Sequence, residues 1–344
     1  MQGRIGIGIV TYNRKDMVRE TIQCVRRYTL RDDVDFIVAD DGSTDGTMAL
    51  LRDLHVPAMT GVNMGIAWNK NRALYLLAQT LRCEVVILLE DDTQPNKAGW
   101  ENDWIEGARR WGHVNLAGEW LKSSFVRGSG TADDPIMSRQ VTAQCASYSR
   151  ESLDYGGYYD PRFKGYGHEH VEHSRRLIRV GYGGIETAVE GEGPIQFALI
   201  AGSVTVHDPP SHYNKEQAER NLDVARQAMG DQFYRAPWQS DEEMQQFRAE
   251  ITGALRNQPR GFDLRGPDQP APRAPAIILP PAEPPPQVLV APASPPDDKR
   301  ASPVPSALDY LRGGGAIPPP AVAPPPPPEP PKRRGLFSRF WGRG

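Results

Sequence analysis

Phe36-Ile37-Val38-Ala39-Asp40-Asp41-Gly42-Ser43-Thr44-Asp45-Gly46-Thr47 is an apolar run that breaks into acids and turn residues, and Val85-Val86-Ile87-Leu88-Leu89-Glu90-Asp91-Asp92 repeats the pattern. Short β-branched runs that end in turn residues read as strands buried on both faces of a parallel sheet. Both acidic clusters therefore fall at carboxyl ends of strands, where open α/β sheets bind ligands. Acids placed there can face a nucleoside and a divalent cation.

Outward from these runs the chain alternates. Residues 5–10 read as a strand and 16–28 as a helix, with Met17, Ile22 (or Thr21), Cys24 and Val25 on its inner side. Residues 47–54 are a short helix entered at Asp45-Gly46, and 66–81 a longer one rich in Ala and Leu. This β-α-β-α order implies an α/β fold, a mostly parallel sheet with helices on both faces. Beyond Asp92 the pattern predicts a helix at 100–111, strands at 114–117 and 141–147, and a helix at 168–180 closed by Gly181. A last strand at 202–206 delivers His207, and polar-faced helices follow at 214–229 and 241–255. Residues 118–134, with Trp120, Lys122 and Arg127, read as a mobile or substrate-facing segment.

The chain has 344 residues, room for one large domain and appendages. A net charge of −3 provides no field to draw nucleic acid. Cys24, Cys83 and Cys145 are too sparse for a disulfide framework and suit a reducing compartment. No apolar run is long enough to cross a bilayer, and residues 1–4 lead straight into a strand rather than a cleavable leader. The expected location is cytoplasmic, with peripheral contact at the inner face of the membrane left open. Of 33 prolines, 25 lie at or beyond Pro259, a composition that is extended or disordered rather than packed. The expected organisation is a domain over 1–257, including helices within 214–255, then a disordered proline-rich linker over 258–331. A basic, aromatic tail over 332–344 ends the chain. Its five cations and three aromatics suit an anionic membrane surface or a solvated end.

Four motifs carry a family resemblance: Ile9-Val10-Thr11-Tyr12-Asn13-Arg14, then 40–47, then Asn63-Met64-Gly65-Ile66-Ala67 with Asn71, then Leu89-Glu90-Asp91-Asp92. In order and spacing they resemble family 2 glycosyltransferases of the GT-A fold, over about residues 4–210. The resemblance implies a Rossmann-like domain that takes a nucleotide-sugar donor. A carboxylate can accept the N–H of a uracil ring, a role the resemblance gives to Asp41 or its neighbour Asp40. By the same resemblance Thr11, Tyr12, Asn13, Asn63 and Gly65 are expected to line the donor pocket. Asp91 is the expected ribose contact and Asp92 the metal ligand. A hard divalent cation (Mn²⁺ or Mg²⁺) would neutralise the diphosphate. Without the resemblance, the same residues would read as solvated turns and helix N-termini.

Gly165-Tyr166-Gly167-His168-Glu169-His170 is similar to the Gly-Trp-Gly-Gly-Glu-Asp stretch of galactosyltransferase-type enzymes. Gly167 lets the backbone pass close to the sugar. Glu169 matches that family's first acid, but His170 stands where inverting enzymes usually carry the Asp base. Three chemistries stay open: an inverting reaction with Glu169 as base, which is the preferred reading, His170 as base, or a retaining reaction. The bland alternative is a helix held by Glu–Arg pairs and cationic histidines, since Glu169, Glu172 or His173, and Arg176 share one face. His207 falls where GT-A enzymes place a third metal contact. The implied partners are a nucleotide-sugar donor and a glycan or glycolipid acceptor, as in bacterial surface glycan assembly. A catalytically inactive scaffold that recruits partners through the proline-rich tail is the alternative.

Overall fold

The computed structural model describes residues 3–186, 194–207, 215–228, 230–257 and 264. The expected linker over 258–331 and tail over 332–344 lie outside the described residues, Leu264 apart. In chain order the elements are β1 (Ile5–Thr11), α1 (Lys15–Tyr28), β2 (Val34–Asp40), α2 (Thr47–Asp53), β3 (Ala58–Thr60) and α3 (Ile66–Leu74), which runs on into a π-helical turn at Tyr75–Thr80. Then come β4 (Val85–Glu90), β5 (Thr93–Pro95), α4 (Glu101–Trp111), β6 (His113–Leu116), a 3₁₀ turn at Glu119–Ser124, β7 (Phe125–Arg127), β8 (Ile136–Ser138), β9 (Cys145–Ser149) and α5 (Arg150–Gly156). The described chain closes with α6 (Glu169–Arg179), β10 (Gly184–Glu186), β11 (Ile195–Ile200), β12 (Val204–Val206), α7 (Lys215–Ala228) and α8 (Asp241–Arg256).

The main sheet runs β3-β2-β1-β4-β9-β6-β11-β8-β7, with β10 on β11. Its amino-terminal block, β3-β2-β1-β4, is parallel throughout, as the buried apolar runs require. Beyond it β9 runs antiparallel between β4 and β6, while β6 and β11 pair in parallel. β12 belongs elsewhere: it pairs antiparallel with β5 in a separate two-stranded sheet.

Strand alternation sorts the core into two layers. Ile5, Ile7 and Ile9 face α1, α2 and α4, packing with Val18, Ile22, Val25, Leu51, Trp104 and Ala108. Their neighbours Gly6 and Gly8 face α3 and the π turn, where a Cβ would crowd Leu77 and Ala73. A side chain on that face would push the helix off the sheet, so the Ile-Gly alternation sets how closely α3 lies. On this face Ile37, Ala39, Val86 and Leu88 pack against α3, α5, α6 and α8.

Several boundaries differ from expectation. The strand expected at 141–147 is β9, shifted to Cys145–Ser149 because its register is set by pairing with both β4 and β6. Residues 118–134, read as a mobile or substrate-facing segment, carry a 3₁₀ turn and β7. On α1 the buried positions are Val18, Thr21, Ile22 and Val25, so Met17 and Cys24 sit on the flanks of the inner stripe. The three cysteines are free. Among the described residues no helix is long and apolar enough to cross a membrane.

Candidate functional site

The carboxyl ends of β1, β2 and β4 and the start of α3 enclose a cavity of about 330 Å³. That is the lower end of the roughly 300–1,000 Å³ usual for small-molecule sites. Thr11, Tyr12, Arg14, Asp41, Asn63, Gly65, Glu90 and Asp91 are among its lining residues. The two acidic clusters, fifty residues apart in sequence, therefore open onto one space.

The β1 turn supplies the bridge between them. Arg14 Nη1 donates to Asp91 Oδ1 at 2.8 Å and to Asp92 Oδ2 at 2.9 Å, and Thr11 Oγ1 donates to Asp91 Oδ2 at 2.7 Å. Burial, the largest influence, pushes the Asp91 carboxyl up to about 6, although Thr11 and Arg14 favour its charge. Asp92 also accepts from Thr93 Oγ1 at 3.3 Å. The β12–β5 pairing brings His207 alongside, its backbone N–H donating to the Asp92 carbonyl at 2.9 Å. Among the described residues no group of three or more His, Cys, Asp or Glu side chains converges on a metal-sized space. The Asp92 carboxylate offers oxygen of the kind a hard cation takes, and Arg14 supplies the positive charge between it and Asp91.

Asp41 is nearly sealed, 4% exposed. Its Oδ1 accepts from Arg72 Nη1 at 2.7 Å and the Met64 N–H at 3.1 Å, and its Oδ2 accepts from the Gly65 N–H at 2.9 Å. Asp40 is turned away. It is fully buried and accepts from Thr60 Oγ1 at 2.7 Å and from the backbone N–H groups of Gly42 and Ser43. Of the two acids offered for the base, only Asp41 reaches the cavity; Asp40 shapes the turn. Asn13 is likewise a latch, its Oδ1 accepting from the Thr44 N–H at 2.7 Å, while Tyr12 stays 46% exposed at the cavity mouth.

The segment 165–170 approaches from the other side. Gly65 and Gly165 touch so closely that a Cβ on Gly65 would meet the Gly165 backbone, which draws Gly165 and Tyr166 into the cavity lining. Glu169 opens α6, is 2% exposed, and accepts from the Gly167 N–H at 2.9 Å. His170 Nδ1 lies 3.2 Å from Glu169 Oε1. Burial opposes ionisation of Glu169, but His170, then Lys70, outweigh it and hold its carboxyl at about 2. Further along α6, Glu172 and Arg176 pair at 2.7 Å in the interior. Burial holds the His173 imidazole neutral, so the expected cationic histidine is absent at that position.

Sequence reasoning missed the basic residues of α3. Lys70 is fully buried with Nζ 2.7 Å from Glu90 Oε1, and burial notwithstanding, Glu90 and Glu169 hold it charged. Arg72 is fully buried against Asp41. Asn71 clamps the Tyr159 backbone, donating at 2.8 Å and accepting at 2.9 Å. The available signal was Asn69-Lys70-Asn71-Arg72 inside an otherwise apolar helix, a run that α3 buries entirely. Trp120 and Lys122, read as facing substrate, are exposed and do not line the cavity; Lys122 pairs with Glu119.

Residues 7–124 match the model of the family described as Glycosyl transferase family 2, which bears out the resemblance over that stretch; segment 165–170 lies beyond it. The fold is similar to that of the mannosyltransferase PcManGT from Pyrobaculum calidifontis in complex with GDP-Man and Mn²⁺, at 14% identity and a TM-score of 0.46, with 74% of this chain and 75% of that chain covered. TarS of S. aureus is 14% identical with a TM-score of 0.45, over 75% of this chain but only 44% of that one. Glucosyl-3-phosphoglycerate synthase from Mycobacterium tuberculosis, in complex with Mn²⁺, UDP-glucose and phosphoglyceric acid, is 17% identical with a TM-score of 0.39, over 66% and 77% of the two chains. No curated protein matches.

Proposed function

We propose, on the premise that residues 7–124 form a family 2 glycosyltransferase segment, that the protein transfers a sugar from a UDP-sugar to an acceptor hydroxyl with inversion at the anomeric carbon. The observation that carries this reading is the single cavity lined by both Asp41 and Asp91. Asp41 Oδ2, with one backbone partner, keeps acceptor capacity for the ring N–H of uracil. Asp91, oriented by Thr11 and Arg14, meets the ribose. Asp92 and His207 would hold Mn²⁺ or Mg²⁺, which when bound supplies positive charge for the diphosphate leaving group.

For the proton of the acceptor hydroxyl the geometry favours His170 over Glu169. Both Glu169 oxygens are already engaged, Oε2 by the Gly167 N–H at 2.9 Å and Oε1 facing His170 Nδ1 at 3.2 Å. The better use of this carboxylate is to accept from His170 Nδ1–H, which leaves Nε2 with a lone pair for the incoming hydroxyl. The base thus stands at the position where the sequence departs from the Gly-Glu-Asp pattern. The acceptor, a glycan or glycolipid of a bacterial surface polymer, is carried over from the family alone.

Asp92→Ala abolishes transfer and leaves the fold intact; equal turnover by variant and parent in metal-defined buffer would refute the metal assignment. Slow hydrolysis across a panel of nucleotide sugars with Mn²⁺ names the donor, and no hydrolysis of any of them would favour the scaffold alternative.

A further inference from the structure

Arg72, which orients Asp41, is held from outside the family-matched segment. Its Nε donates to Glu250 Oε2 at 2.9 Å and its Nη2 to Glu250 Oε1 at 3.2 Å, while Nη2 also donates to the Val62 carbonyl at 2.9 Å. Only Nη1 remains for Asp41. Glu250 lies on α8, separated from Arg72 by 178 residues, and its side chain is 10% exposed. It also accepts from Trp68 Nε1 at 3.2 Å and Gln246 Nε2 at 3.1 Å. α8 is seated by Phe247, fully buried and edge-on to Trp68 at 5.2 Å. The arrangement leaves no slack, because a Cβ on Gly61 would overlap both Glu250 Oε1 and Arg72 Nη2.

We propose that Glu250 is a positioning residue that sets nucleobase selection by Asp41, an inference that rests on the reading of Asp41 as the base contact. One guanidinium here serves two carboxylates. If Arg72 paired with Asp41 alone, its fork would bind both oxygens and quench their charge. Glu250 takes one edge of the fork instead, so Asp41 engages Arg72 through Oδ1 only, and the trio keeps one negative charge in a buried setting. That excess makes Oδ2 a strong acceptor for an imide N–H. Uracil offers such a donor at N3, whereas cytosine presents a bare acceptor at the same position.

The test uses the full chain and binding of UDP and CDP by calorimetry, with kcat and KM for donor hydrolysis alongside. Glu250→Gln should weaken UDP binding about tenfold while CDP binding changes little, so that the UDP preference shrinks and KM rises with kcat nearly unchanged. In the parent, the Trp68 indole N–H resonance, assigned with Trp68→Phe, should shift when UDP binds. Asp41→Asn separates the two levels. If it removes UDP preference while Glu250→Gln leaves that preference intact, the positioning role is refuted and the base contact stands. If Asp41→Asn leaves UDP binding unchanged, the base contact itself fails. Equal losses for UDP and CDP in Glu250→Gln would reduce Glu250 to a structural part and overturn the proposal. Should that variant not fold, Glu250→Asp decides: it keeps the charge but, one methylene shorter, does not reach the Arg72 edge, and an unchanged UDP to CDP ratio refutes the role.

Discussion

His113 makes this fold acid-sensitive in a way that can be calculated. Its ring is completely buried on β6, stacked on Tyr148 at 4.4 Å. Nδ1–H donates to the Ser147 carbonyl at 3.0 Å, and Nε2 lies 2.9 Å from Asn115 Nδ2, which can only donate. A proton on Nε2 would face the Asn115 amide donor, although the Ser174 hydroxyl at 2.9 Å can accept it, so burial more than pairing favours the neutral ring. Burial, the largest influence, lowers the imidazole to about 4, against 6.5 in the unfolded chain. A depressed histidine binds fewer protons folded than unfolded, so its contribution is complete above about pH 6.5 and is lost as pH falls toward 4. Those two values give a loss of about 2 kcal/mol between pH 7 and pH 5, and about 3 kcal/mol by pH 4. His173, also buried and lowered, adds to the slope in the parent, so the comparison must be differential. The perturbation is His113→Gln, whose amide can keep the Ser147 bond and does not titrate. Urea unfolding at pH 7 and pH 5 should show the variant weaker at pH 7 by about 1–3 kcal/mol. Its further loss on acidification should be smaller than the parent's by about 2 kcal/mol. Parallel pH dependence in parent and variant would refute the reasoning. The effect bears on the site because His113 Nε2 also lies 2.9 Å from Ser174 Oγ on α6, the helix that carries Glu169 and His170.

Other expectations concern the site itself. Lys70→Met strands Glu90 and should cost about 3–5 kcal/mol in chemical denaturation, with Glu90→Gln added in the same chain recovering part of it. Arg14→Met removes the cation between Asp91 and Asp92; Arg14 is one-third exposed, so the loss should be about 1–2 kcal/mol, and Mn²⁺ should restore melting temperature in the variant more than in the parent. His170→Gln should lower kcat about 100-fold or more with donor KM nearly unchanged, and a comparable kcat in variant and parent would remove His170 as the base. Gly8→Val forces a side chain against Ala73 and Leu88 and should cost at least about 1–3 kcal/mol in a urea titration.

What could be read from residues alone was local. Apolar runs ending in acids located β1, β2 and β4 and, because parallel strands all end at one edge, placed Asp41 and Asp91 on the same side of the sheet. Turn chemistry marked Gly65 and the entry to α2, and helical spacing located α1, α4 and α6 to within a residue or two.

What tertiary structure decided depends on residues far apart in the chain. Neighbours in sequence, Asp40 and Asp41 point opposite ways, and only the fold shows that Asp40 closes its own turn on Thr60 while Asp41 faces the cavity. Periodicity did not show that Lys70 and Arg72 are buried, because a lysine or arginine enters a core only when a carboxylate meets it, here Glu90 from β4 and Glu250 from α8. The same holds for His207, which reaches Asp92 through a two-stranded pairing rather than through the main sheet. Local patterning sets which elements form, since periodicity and turn preference act over a few residues. Which charges are compensated, and which carboxylate keeps acceptor strength for a ligand, is settled by packing between elements, because the energy of a buried charge depends on what lies within a few ångströms of it.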